Sequence, residues 1–235
     1  MQPGYLARNI KRIILMIELK GINKTYRRGN EEFTALKDIS FTLEKGDFCS
    51  VIGASGAGKS TLLNILGGLI HPDTGTITFN GKNIYRLKDR DIAQYRKKHL
   101  GFMFQQFHLM PYLTVHENIR LACHEKDHLD KIDFYLDRCS LKGLKKRYPS
   151  ELSVGEKQRT AFIRAIISNP DLLLADEPTG NLDKANSDIL LGLVKEFNLE
   201  NGTVIIASHD PGIARYANRS IKLDKGHIQQ KYNIL

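Results

Sequence analysis

This chain has no long apolar run. The longest, Ile13-Ile14-Leu15-Met16-Ile17, falls far short of the roughly 20 apolar residues that cross a bilayer as a helix. No transmembrane helix is expected, so any work at a membrane requires a partner. Cysteine is scarce. Cys49, Cys123 and Cys139 are the three, and they lack the paired spacing of metal sites. They fit ordinary packing in a reducing compartment rather than a disulfide framework. There is no internal repeat and no low-complexity segment. The start carries Arg8, Lys11 and Arg12 but not the long apolar core and small-residue cleavage site of a secretory signal. Residues 1–15 read either as a basic surface extension or as sequence upstream of a natural start at Met16. That methionine opens the strand-like Met16-Ile17-Glu18-Leu19-Lys20.

The 235 residues suffice for one large α/β domain or a core plus a subdomain. The formal net charge is +9, with basic clusters at Arg96-Lys97-Lys98 and between Lys142 and Arg147. A solvated face, an anionic membrane surface and nucleic acid all suit such clusters, and charge alone does not choose among them.

Short apolar strands alternate with helical stretches. Ile17–Leu19, Phe33–Ala35, Ile39–Leu43 and Phe48–Ile52 read as strands, as does Thr76–Phe79 before the turn Asn80-Gly81. Asp89 to Lys98 reads as a polar helix and Gly101–Phe104 as a short strand. From Pro111 to Pro149 the pattern is helical, with Leu129, Ile132, Leu136 and Cys139 expected on one face. After Ser150 the expected order is helix Glu156–Ser168, strand Leu172–Ala175, helix Lys184–Phe197, strand Thr203–Ala207 and a terminal strand pair around Lys225-Gly226. This alternation predicts a mainly parallel sheet with helices on both faces, interrupted by a helical insertion.

Three segments carry chemistry. Gly53-Ala54-Ser55-Gly56-Ala57-Gly58-Lys59-Ser60-Thr61 fits the phosphate-binding loop, between an apolar strand and a helix. Its glycines let backbone N–H groups close around phosphate oxygens, and the helix N-terminus adds its positive dipole end. Lys59 would reach the outer phosphates, Ser60 would ligate Mg²⁺, and Thr61 could bond an inner phosphate. Leu172-Leu173-Leu174-Ala175-Asp176-Glu177 is an apolar strand ending in two carboxylates. Asp176 would hold Mg²⁺, through water because this ion keeps much of its hydration shell, and Glu177 would serve the attacking water as general base. Taken alone, the pair could equally cap the next segment. Leu152-Ser153-Val154-Gly155-Glu156 places a hydroxyl and a glycine at a helix start, which suits anion binding. Ser153 and Glu156 also make a capping box, and both readings can hold together.

With these segments the chain resembles the ATP-binding cassette (ABC) ATPases over nearly all of residues 16–235. That family carries, in order, a phosphate loop, a glutamine loop, an LSGGQ signature, the acidic strand, a D-loop and a switch histidine. This sequence supplies Gly53–Thr61, Gln105, Leu152–Glu156, Leu172–Glu177, Asn181-Leu182-Asp183 and His209 in the same order. The resemblance implies a P-loop NTPase fold of class α/β. It would have a mainly parallel core, an N-terminal antiparallel β subdomain and an inserted helical subdomain over about 106–165. It implies an ATPase using ATP and Mg²⁺. Gln105 would touch Mg²⁺ and the attacking water, and His209 the γ-phosphate. Asp183 would couple the two sites of a head-to-tail dimer of two such subunits. Ser153 and Gly155 of one subunit would close the ATP site of the other. Tyr26 lies where the family stacks an aromatic ring on adenine; read alone it is a strand-edge tyrosine. The signature departs from LSGGQ at Val154 and Glu156. Val154 adds bulk where closure is expected.

The wording Leu100 to Pro111, Leu113 to Ile119 and Ala175 to Asp183 is similar to the group holding the lipoprotein-release ATPase LolD and the macrolide-export protein MacB. By that similarity the chain would be a cytosolic subunit, peripheral on the inner face of the cell membrane. It would power an integral membrane permease in export, lipoprotein release or peptide and drug resistance. Phe107, Leu109, Met110, Tyr112 and Leu113 would either dock that subunit or bury inside the helical insertion. Two rival functions are a regulatory role in cell division like that of FtsE, and a soluble ABC ATPase acting on nucleic acid. The second is disfavoured because there is neither a second cassette nor a long coiled-coil insertion.

Overall fold

The computed structural model describes residues 15–29 and 31–233; the expected extension over residues 1–15 lies outside them except for Leu15. β1 (Leu15–Arg28) and β2 (Glu31–Glu44) form a long antiparallel hairpin. β3 (Phe48–Ile52) is followed by α1 (Lys59–Leu66). β4 (Thr74–Phe79) pairs with β1 and turns into the two-residue β5 (Lys82–Asn83). Asn80 and Gly81 both have positive φ, as a tight two-residue hairpin requires. α2 (Asp89–His99) runs directly into β6 (Leu100–Met103). The short helices α3 (Val115–Arg120), α4 (Lys126–Asp130) and α5 (Ile132–Arg138) come next. The chain then passes through α6 (Val154–Ile166), β7 (Leu172–Asp176), α7 (Lys184–Leu199) and β8 (Thr203–Ser208). It ends in the hairpin of β9 (Arg219–Asp224) and β10 (His227–Asn233).

Two sheets result. One is antiparallel, in the order β2-β1-β4-β5; the other runs β10-β9-β3-β8-β7-β6 and is parallel except at β10. Both faces of the second sheet are covered, which is why β7 and β8 read as unbroken apolar runs. Cys49, Val51, Leu172, Leu174, Ile205 and Ala207 pack with α1 and the antiparallel sheet. Leu173, Ala175, Val204 and Ile206 face the other way, onto Ile119, Leu136, Phe162, Leu190 and Val194 of the helices. Burial pushes the thiols of Cys49 and Cys139 up to about 12, so both behave as packing groups.

The structure corrects two expectations. The strands expected at Phe33–Ala35 and Ile39–Leu43 are one strand, β2, and the strand at Ile17–Leu19 extends to Arg28. Gly21 and Asp38 take positive φ beside register shifts in the pairing, so the alternation breaks while the ladder continues. The expected apolar face over residues 129–139 is also divided. Ile132, Leu136 and Cys139 are buried, but Leu129 lies on α4, which ends at Asp130, and it is 37% exposed.

Candidate active site

Four neighbouring parallel strands, β3, β8, β7 and β6, bring their carboxyl ends to one edge. Ile52 pairs with Ser208, Asp176 with Ala207, and Met103 with Ala175. The residues just beyond these ends are Gly53, His209, Glu177 and, two positions on, Gln105. Segments distant in sequence therefore converge, as ligand sites do at the carboxyl edge of α/β sheets.

The loop after β3 is shaped by its glycines. A Cβ on Gly53 would lie 2.3 Å from the Leu223 carbonyl oxygen, and one on Gly58 would lie 2.3 Å from that of Ala35. Gly58 also has φ of 102°, in the left-handed region. α1 begins there with no side-chain cap and no acidic residue in its first turn. Its first N–H groups are left for an anion, and around Gly56 there is open space where a Cβ would stand. Lys59, buried, bonds the carbonyl oxygens of Gly53 at 2.8 Å and Ala54 at 3.1 Å.

Beyond β7 the chain turns sharply. Glu177 has φ of 47° although proline follows, a position that normally favours extended backbone. The turn is held by the Glu177 N–H donating to the Ala207 carbonyl at 2.9 Å and the Gly180 N–H donating to that of Glu177 at 3.2 Å. It aims the carboxylate inward. Oε1 lies 3.2 Å from Lys59 Nζ. Oε2 accepts from the Ser208 hydroxyl and the His209 N–H, each at 3.3 Å, and lies 2.8 Å from His209 Nδ1. Asp176 sits beside Ser60. Burial holds its carboxyl above the usual carboxylate range, opposed by the Ser60 hydroxyl and Lys59. Its buried Oδ1 has no hydrogen-bond partner among the described residues. An unpaired carboxylate oxygen next to a serine hydroxyl is the hard-oxygen donor set that Mg²⁺ takes.

A cleft of about 640 Å³ joins the phosphate loop to Gln105, Glu177 and His209; Asp176, Gly53 and Ala57 lie behind its walls rather than on them. Of the expected site residues, Ala54, Ser55, Gly56, Gly58, Lys59, Ser60, Thr61, Gln105, Glu177 and His209 line it. Tyr26 does not. Its cross-strand partner Phe33 does, together with Ala35, and sequence reasoning missed both. The strand alternation through β2 was the available signal. Ser208, whose buried hydroxyl steadies Glu177, was also missed; as the last residue of an apolar strand it carried no motif.

Ser153, Gly155 and Asp183 lie away from this cleft's walls. Ser153 caps α6: its hydroxyl accepts from the Glu156 N–H at 3.3 Å, and the Glu156 carboxylate accepts the Ser153 N–H at 2.7 Å. A Cβ on Gly155 would meet Asn186 Oδ1 at 2.5 Å. Asp183 caps α7 by accepting the Asn186 N–H at 2.8 Å, which holds its carboxyl below its ordinary value. Asn186 also accepts from Arg159, so the starts of α6 and α7 are bonded to each other.

A family model described as ABC transporter matches residues 36–180. The chain belongs to the ABC transporter family. This cassette is 39% identical to the uncharacterized ABC transporter ATP-binding protein YvrO of Bacillus subtilis, over 91% of this chain and 95% of the relative. It is 42% identical to YxdL of the same organism, over 91% and 85%. The macrolide export ATP-binding/permease protein MacB of Escherichia coli is 39% identical over 91% of the cassette, which spans 34% of MacB. Among solved structures, the dimeric bacterial ABC transporter cassette MJ0796 superposes with a TM-score of 0.87, at 35% identity, over 94% of this chain and 99% of that one. A post-hydrolysis dimer of the same cassette, bound to ADP and Pi, superposes equally well. The cassette is thus an ATP-binding subunit that hydrolyses ATP, with the P-loop NTPase fold. These similarities favour transport over the cell-division and nucleic-acid readings.

Proposed function

We propose that the cassette drives an export-type membrane complex through a separate permease, docked at the inner face of the cell membrane. The likeness to the export ATP-binding/permease protein MacB supports the export reading, and the convergence of Lys59, Gln105, Asp176, Glu177 and His209 on one strand edge carries the ATP chemistry that would power it. In it the loop N–H groups and Lys59 bind the phosphates, and Ser60, Asp176 and Gln105 hold Mg²⁺. The ion, when bound, neutralises charge on the phosphate oxygens. Glu177 takes the proton of the attacking water, and His209, already within bonding distance of that carboxylate, orients it and reaches the γ-phosphate. Phosphoryl transfer needs positioning and charge stabilisation more than covalent chemistry, and these side chains supply both.

Two copies would pair head to tail, with Ser153 and Gly155 of each closing the ATP site of the other; the dimeric relative supports this. ATP binding then shifts the conformational population of the permease. Tyr112, 71% exposed in the loop after Gln105, fits the docking role, while Phe107, Leu109, Met110 and Leu113 are half-buried around it. No helix among the described residues is long and apolar enough to cross a membrane. Tyr26 would stack on the adenine ring, and its exposed cross-strand partner Phe33, which lines the cleft, would stand beside it.

The test of pairing is gel filtration of Glu177→Gln with ATP and Mg²⁺. A nucleotide-dependent shift to twice the mass supports the scheme; a monomer at saturating ATP refutes it. Removing Mg²⁺ with a chelator is expected to abolish hydrolysis. Hydrolysis that persists without divalent ions would refute the metal assignment.

A further inference from the structure

Helix α6 carries a glutamine, Gln158, that touches no expected nucleotide group. It is 2% exposed, and its Nε2 donates to the Pro178 carbonyl oxygen at 2.6 Å. A carbonyl only accepts, so the amide must present its NH₂ there. The amide oxygen is left in the interior, and Gln158 Oε1 has no partner among the described residues. An unpaired buried oxygen is a cost that leucine or methionine of similar size would avoid. Stability alone does not favour glutamine here. The bond to Pro178 has another use.

Pro178 directly follows Glu177. The Glu177 backbone stands at φ of 47°, against the extended preference of a pre-proline residue, and needs anchors on both sides. Upstream its N–H is held by Ala207, and downstream its carbonyl is held by Gly180. The Pro178 carbonyl is the next rigid group along the turn, and Gln158 reaches it from a different helix. We propose that Gln158 is a positioning residue for ATP hydrolysis: by pinning the Pro178 carbonyl it holds the Glu177 turn so that the carboxylate faces the attacking water. The inference rests on Glu177 being the base. A misplacement of about 1 Å at such a group costs up to about a hundredfold in rate.

The experiment compares the full chain with Gln158→Leu, Gln158→Glu and Glu177→Gln. It measures hydrolysis against ATP concentration, fluorescent-nucleotide affinity, Tm and the pH profile. In Gln158→Leu, kcat is expected to fall at least about tenfold while KM and nucleotide affinity stay within about twofold, the pattern of a lost transition-state contribution. Tm should hold or rise. In Gln158→Glu the buried side chain can donate to Pro178 only when protonated, so its kcat relative to the parent should rise as pH falls. Unchanged kcat in Gln158→Leu overturns the proposal, as does a joint fall of kcat, nucleotide affinity and Tm. If Gln158→Leu does not fold, a pH-independent Gln158→Glu ratio overturns it. Glu177→Gln at the parent rate would instead remove the premise. An inactive Glu177→Gln beside a fully active Gln158→Leu would remove only the positioning role.

Discussion

Asp176 and Glu177 are adjacent carboxylates with opposite treatment. Glu177 is surrounded by four polar contacts, from Lys59, the Ser208 hydroxyl, and the backbone and ring of His209. Asp176 keeps a buried oxygen without a partner, and burial raises its carboxyl above the ordinary range. A raised carboxyl destabilises the fold once it must ionise. The cost is absent below the ordinary carboxylate value and complete above the raised one. Asp176→Asn removes the cost. Without nucleotide its Tm should exceed the parent's by about a few degrees at neutral pH, with the gain vanishing in acid, while hydrolysis is lost. Calorimetry at several pH values, beside an ATPase assay, checks both halves; a lower Tm at neutral pH would refute the account. The identities of these two acids were legible in the chain, because an apolar strand ending in Asp-Glu delivers them to a sheet edge. Their different environments were not, because each depends on β8 and α1, which arrive from elsewhere.

At the scale of elements, the phosphate loop is a backbone device. Gly58 combines φ of 102° with a Cβ position 2.3 Å from the Ala35 carbonyl oxygen. Gly58→Ala should cost about 1–3 kcal/mol in stability and lower ATP affinity by tenfold or more, read by chemical denaturation and nucleotide titration. The loop after Gln105 is built differently. Asn118, 0% exposed, accepts the Met110 N–H and donates to the carbonyls of Met110, Leu113 and Thr114. Arg164 of α6 holds the carbonyls of Phe107 and His108. The loop therefore presents Tyr112 on a fixed frame. Tyr112→Glu should abolish co-purification with a membrane subunit and leave ATP affinity and Tm unchanged. Asn118→Ala should instead lower stability by about 2 kcal/mol, because several backbone groups lose their partner. If Tyr112→Glu also unfolds the protein, the residue belongs to the core and not to a docking face. Apolar residues between Phe107 and Leu113 were visible in sequence. Which of them face out was not, because Asn118 and Arg164 decide it from positions that the helical pattern left unremarked.

For the whole molecule, Val154 is the departure with the clearest consequence. It is 43% exposed at the start of α6, beside the Ser153 and Gly155 proposed to meet the partner's nucleotide. In a Glu177→Gln background, Val154→Gly should lower the ATP concentration that half-saturates dimer formation by a fewfold; light scattering against ATP reads this directly. A higher requirement would show that the side chain assists closure. The sequence by itself determined the alternation of strands and helices, the glycine loop, the acidic strand and the order of the motifs. These are local properties, set by apolar period, by glycine's freedom and by residue chemistry. Only the tertiary structure decided that β3, β8, β7 and β6 lie side by side and end together. It alone put Phe33 on the cleft beside its partner Tyr26, stood Glu177 on a left-handed turn, and joined α6 to that turn through Gln158. Those outcomes depend on strand order and on contacts between segments far apart in the chain, where no local pattern reaches.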